Sequence, residues 1–276
     1  MRFHRDRTQH NMTTGLWTQE QIKLAFHLYC QLPYGRIHSR NPEIMALAKV
    51  MGRTPSAVAM KMSNIASIDP AITSSGRAGL GNASALDRAV WEEFHADWER
   101  LAEECHALRA QLDPTGAIGK EEPSEDIMPK DFNGETRQTL TAQRIKQNFF
   151  RRAVLSSYQG SCCMSGVSDS RLLIASHIVP WRSDKTNRLN PRNGLCLSAI
   201  HDRAFDIGLI CLEDDLTVVV SDELKRSGEA FVKDVFLSLQ GRKIKLPERF
   251  QPEAKFVAWH RHQIFVDNQI GSRKNL

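Results

Sequence analysis

Between Trp17 and about Leu112, apolar residues recur at helical spacing. Thr18 can cap a first helix carrying Ile22, Leu24, Phe26 and Leu28, which stops before Pro33-Tyr34-Gly35. Asn41-Pro42-Glu43 opens a second helix with Ile44, Leu47, Ala48 and Met51 on one face, closed at Gly52. Thr54-Pro55 starts a third, with Val58, Met62 and Ile65 turned inward. Two short helices joined at a glycine have the composition of a helix-turn-helix. Residues 69–84, rich in Gly and Ser, read as a loop. A fourth helix, about 85–110, carries Trp91, Phe94, Trp98, Leu101, Cys105, Leu108 and Leu112 at alternating intervals of three and four, a heptad seam. That seam serves either a homodimer through helix 85–112 or packing on its own domain.

Residues 113–135 contain three prolines and three glycines among few apolar residues, the composition of an extended linker. The pattern then becomes mixed. A basic amphipathic helix over 140–157 carries Ile145, Phe149, Phe150 and Val154, and a strand follows at Leu172–Ala175. After a loop to Asn193 comes a short helix at roughly 198–206, then a hairpin pairing 209–212 with 216–220 around Glu213-Asp214-Asp215. The plan is therefore α+β: a basic tail (1–16), a helical recognition domain for DNA or a partner (17–112), an acidic linker (113–138) and a mixed domain (139–276).

Composition narrows the class. A 276-residue chain with 41% hydrophobic residues, 25% charged residues and mean hydropathy −0.40 suits one or two soluble domains. No apolar run is long enough to span a bilayer, and the amino terminus lacks the apolar core of a signal peptide. Six cysteines without a C-x-x-C pair suit reduced thiols in a cytoplasmic protein. The net charge of +5 is unevenly spread: residues 17–84 carry 7 basic and 3 acidic side chains, residues 113–135 carry 2 and 7, and residues 136–276 carry 22 and 14. Two basic blocks separated by an acidic one suit two surfaces meeting a polyanion such as nucleic acid.

The chemistry concentrates in three blocks: Ala175-Ser176-His177-Ile178-Val179-Pro180-Trp181, Asn190-Pro191-Arg192-Asn193-Gly194-Leu195, and His201-Asp202-Arg203-Ala204-Phe205-Asp206-Ile207-Gly208-Leu209-Ile210. A histidine ends a strand, an asparagine follows 16 residues later, and a second histidine stands 8 residues further, near the start of a helix. Elements of this length can fold back so that both histidines share one pocket. One neutral imidazole there can take a proton from water and the other can hold a divalent cation, the parts phosphodiester hydrolysis needs.

These blocks resemble the HNH endonuclease family, in the branch written S-H-I-x-P-W, N-P-x-N-G-L and H-D-x-x-F-D-x-G-L-I. The likeness extends to Phe150–Leu155, Tyr158 and Cys162–Gly166 before the motif, and to Leu246-Pro247, Pro252 and Trp259–Phe265 after it. The resemblance implies a ββα-metal fold and a metal-dependent DNA endonuclease of a bacterial restriction or defence kind. His177 would be the general base, Asn193 would brace the loop and orient that base, and His201 would bind one Mg2+ or Mn2+ ion, with Zn2+ or Ni2+ also admissible. The products would carry 5′-phosphate and 3′-hydroxyl ends, and the substrate would be double-stranded DNA. His260 and His262 read as structural.

Where many members place a metal-binding Asp or His before the base, this chain has Ser176. Asp206 is the nearest alternative carboxylate, although five helical residues turn it away from His201. Arg182, Lys185, Arg188 and Arg192 crowd the loop beside the site and suit DNA-backbone contacts. The amino-terminal helices distantly resemble Myb- or SANT-type modules, in which Arg53, Thr54, Ser56, Lys61 and Asn64 would face DNA. The alternative to an enzyme is a DNA-binding regulator with a degenerate, non-cleaving HNH fold.

Overall fold

The computed structural model describes residues 15–77, 79–114 and 137–268, with side chains of the third segment from residue 143. Most of the basic tail and of the acidic linker lie outside these residues. The described residues form two compact units: 15–29, 34–96 and 100–114 in the first, and 30–33, 97–99 and 137–268 in the second. The chain is α+β, helical at the amino end and mixed thereafter.

The first unit is built on α1 (Gln19–Gln31), α2 (Pro42–Val50), α3 (Pro55–Ala66), α4 (Pro70–Ser74), α5 (Ala85–Ala96) and α6 (Trp98–Leu112), whose ends α1 and α6 share with the second unit. Local chemistry sets several starts. The Asn41 side chain accepts from the amides of Glu43 and Ile44, and Thr54 accepts from that of Ala57. Pro42 and Pro55 follow directly, where a missing N–H costs nothing. The segment 69–84, read as loop, contains α4: Asp69 caps it through the Ala71 amide and accepts from the Tyr29 hydroxyl at 2.7 Å. The single helix expected over 85–110 is broken at Asp97 into α5 and α6. Phe94, Trp98, Leu101 and Cys105 of its seam are each at most 4% exposed, so these positions present no free surface to a second copy.

The second unit runs through α7 (Arg137–Ser157), β1 (Leu173–His177), β2 (Gly194–Ser198), α8 (Ala199–Asp206), β3 (Ile210–Leu212), β4 (Val218–Val220), α9 (Asp222–Lys225), α10 (Ala230–Val235) and α11 (Ala254–Gln263). Strands β1 and β2 pair antiparallel, with Leu173 opposite Ser198 and His177 opposite Gly194. Strands β3 and β4 form the hairpin expected from the sequence. Helix α7 lies close against the first strand pair: a Cβ on Gly194 would stand 2.4 Å from Val154 Cγ2 and 3.0 Å from Phe150 Cζ, so only glycine permits the approach. Gly208, at φ +75°, turns the chain after α8 where a Cβ would strike the Ile264 carbonyl. His260 is structural, as expected: it is buried, stacks on Phe205 at 3.7 Å and donates from Nε2 to the Phe205 carbonyl at 3.0 Å. The six cysteines are free and buried. No helix among the described residues is long and apolar enough to cross a membrane.

Candidate active site

The site grows from the loop joining β1 to β2. Asp184 accepts from the amides of Thr186 and Asn187 and from the Asn187 side chain. Asn193, fully buried, closes the loop from the other end: its Oδ1 accepts from the Val179 amide at 2.8 Å, and its Nδ2 donates to the Val179 carbonyl at 3.0 Å. The Asn193 side chain therefore braces the loop. No described hydrogen bond joins it to His177, whose orientation comes from elsewhere.

His177 is half-buried at the end of β1. Its ring stacks on Phe150 at 3.9 Å and 7°, and meets Trp181 edge-on at 5.6 Å. Nε2 lies 2.9 Å from the Arg188 carbonyl, which can only accept, so Nε2 carries the proton and Nδ1 the lone pair. Burial pushes the ring's pKa down to about 4, against the opposing pull of the Arg188 hydrogen bond. At neutral pH His177 is thus an uncharged imidazole of defined tautomer, able to accept a proton at Nδ1.

His201 lies in the first turn of α8, 3% exposed, in different company. Its Nδ1 stands 2.8 Å from Ser198 Oγ and 3.7 Å from Cys162 Sγ, and its Nε2 donates to the Val235 carbonyl at 3.2 Å. Burial opposes ionisation of both His201 and Cys162. Their mutual contact, with Ser165 beside the sulfur and the Val235 carbonyl beside the ring, outweighs it, drawing the thiol down to about 6 and the imidazole up. His201 lines a cavity of about 570 Å³ together with Ser198, Asp234 and Arg242, and His177 is absent from its walls. The expectation of one shared pocket is therefore corrected. The strand register places Gly194 beside His177 and Ser198 beside Leu173, at ends of the pair roughly 13 Å apart.

The residues present do not fit the expected metal shell. A ligating imidazole needs a free lone pair, and both His201 nitrogens are already engaged by protein groups. Ser176 offers a buried hydroxyl with no hydrogen-bond partner, a weak ligand. Asp206, expected as a ligand, is exposed at the last residue of α8, about 140° around the helix from buried His201. No group of three His, Cys, Asp or Glu side chains able to hold a metal exists among the described residues.

The cations divide sharply. Arg182, Lys185 and Arg192 are exposed, Arg192 with Glu253 at 3.7 Å. Arg188 is half-buried and occupied by Glu99. On α3, Ser56 is exposed and Asn64 half-buried, while Thr54 serves as the helix cap. Two expected DNA contacts are corrected. Arg53 is 9% exposed, donating to the carbonyls of Gly15 and Leu16 and lying over Trp17. Lys61 is 6% exposed and bound to both carboxylate oxygens of Asp87, at 2.9 and 3.0 Å. Both cations hold the unit together and cannot reach a phosphate. Phe150 and Cys162 stood in the segments that carry the family likeness, but nothing in their spacing marked them as ring partners of the two histidines.

The site is thus a loop-braced strand pair with a neutral histidine at its edge, followed directly by a helix. The family model for HNH endonucleases matches residues 162–213, from the Cys162 turn past the end of β3. Over this segment the chain is similar to HNH endonucleases, a nuclease class whose substrates are nucleic acids. None of the curated proteins matches it.

Proposed function

We propose that the protein is a DNA endonuclease of a bacterial restriction or defence system, with His177 as the general base. The observation that carries this reading is the state of that ring: neutral, held through Nε2, with the Nδ1 lone pair uncommitted. Arg182, Lys185 and Arg192 draw the duplex to the loop through its phosphates. Nδ1 takes a proton from water as the water oxygen attacks phosphorus, and the P–O3′ bond breaks. The leaving oxygen acquires a proton from solvent, giving 5′-phosphate and 3′-hydroxyl ends. Activation by Mg2+ or Mn2+ belongs to the same proposal by family resemblance. The described residues build no shell for such an ion. The helical unit would select the site, with Ser56 and Asn64 as the remaining candidates on α3.

The engagement of both His201 nitrogens favours a second reading, a DNA-binding protein whose nuclease fold no longer cleaves. Supercoiled plasmid incubated with and without Mg2+ or Mn2+ separates the two. Under the nuclease reading, the plasmid is nicked and His177→Ala abolishes this while leaving DNA binding intact. Binding without nicking, on modified and unmodified plasmid alike, favours the regulator.

A further inference from the structure

Arg188 belongs to the loop cations expected to meet DNA, yet its guanidinium is already claimed. Glu99, which belongs to the same compact unit, receives Nη2 at 2.8 and 3.1 Å and Nε at 3.2 Å. Both side chains are about one quarter exposed, at 24% and 26%. A two-pronged, partly shielded pair of this kind is more rigid than a surface ion pair. Lys146 also donates to Glu99 Oε1. Burial raises the Glu99 carboxyl's pKa, but the hydrogen bonds from Arg188 and Lys146 outweigh it and hold the group below its usual range, so it stays charged.

Arg188 reaches His177 by two routes. Its carbonyl accepts the Nε2 proton, and its guanidinium lies 5.0 Å from the centre of the Trp181 ring, which meets the imidazole edge-on. Phe150 covers the ring's face. The imidazole can rotate away from its hydrogen bond only if the loop around Arg188 gives way, and Glu99 anchors that loop.

We propose that Glu99 and Arg188 are positioning residues for His177, holding the loop carbonyl that decides which ring nitrogen carries the proton. The proposal rests on the reading of His177 as the base. It makes Arg188 part of the support of the site and leaves phosphate contact to Arg182, Lys185 and Arg192.

The test uses the full chain with Glu99→Gln and Arg188→Lys, each close to the original in size, beside His177→Ala. Nitrogen-15 NMR follows solvent exchange of the His177 Nε2 proton, and plasmid nicking gives kcat and KM. Both variants should exchange that proton about tenfold faster, as expected for loss of one well-formed hydrogen bond. Their kcat should fall about tenfold, with KM moving less than about twofold. Unchanged exchange in both variants overturns the proposal. So does a raised KM in Arg188→Lys with exchange and kcat unchanged, which makes Arg188 a phosphate contact. Full cleavage by His177→Ala instead defeats the base reading. The exchange measurement needs no activity and reports separately whether Glu99 and Arg188 hold the ring.

Discussion

Replacing Lys61 with Met separates a DNA-reading role for α3 from a structural one. The ammonium and the Asp87 carboxylate meet at 2.9 and 3.0 Å, with their residues 6% and 1% exposed. Methionine keeps much of the apolar stem and removes the charge, leaving Asp87 buried with only the Ser84 amide and hydroxyl to receive. Breaking one side of a buried pair costs about 3–5 kcal/mol, and the two Ser84 hydrogen bonds place this site near the lower end, at about 3 kcal/mol. Urea unfolding of the full chain, followed by tryptophan fluorescence, measures the loss as a lowered midpoint at constant slope. Lys61→Met with Asp87→Leu, which removes both charges, should recover most of it. A change below about 1 kcal/mol together with a clear loss of DNA affinity would refute the assignment and return Lys61 to the DNA-facing surface.

Three further outcomes follow from the second unit. His260, buried and held at a pKa of about 4, binds its proton in the unfolded chain below about pH 6.5 but resists it when folded. Its contribution of about 3 kcal/mol is complete above pH 6.5 and disappears as pH falls to 4, so unfolding curves of His260→Gln should lose part of the wild-type acid sensitivity; equal sensitivity contradicts the burial argument. Gly194→Ala forces a Cβ to within 2.4 Å of Val154 Cγ2 and should cost about 1–3 kcal/mol in thermal melts. Adding Val154→Ala should reduce that overlap, and no gain in the double variant would place the strain elsewhere. Arg182→Glu and Lys185→Glu should each weaken plasmid binding and reduce the slope of log affinity against log salt by about 1, whereas a slope unchanged in both removes this loop from the DNA path.

Features written in neighbouring residues were legible before the structure. Asn41-Pro42 and Thr54-Pro55 start helices because cap and proline act within one turn. The β3–β4 hairpin follows from two β-branched, apolar runs around an acidic turn. The motif blocks led to the strand end, the loop brace and the helix start because their order along the chain is the order of the elements. What stayed illegible depends on partners distant in sequence. Arg53 and Lys61 carry the pattern of surface cations, and only carbonyls 37 and 38 residues away, or Asp87 26 residues away, make them internal. The heptad seam was real as a pattern, but Asp97 interrupts the helix that carries it.

The two histidines illustrate the same limit within the site. Spacing along the chain brought both to the β1–β2–α8 segment, and it could not say which groups would occupy their nitrogens. His177 takes its partner from the loop it adjoins, 11 residues on, through Nε2 alone. His201 takes Cys162 from 39 residues before and Val235 from 34 residues after, and both its nitrogens are spent. Family likeness gave both residues importance, but hydrogen bonding divides them into a ring held through one nitrogen and a ring that ties α8 to its surroundings. With His177 as the proposed base, cleavage would therefore depend first on how firmly the loop carbonyl of Arg188 holds that ring.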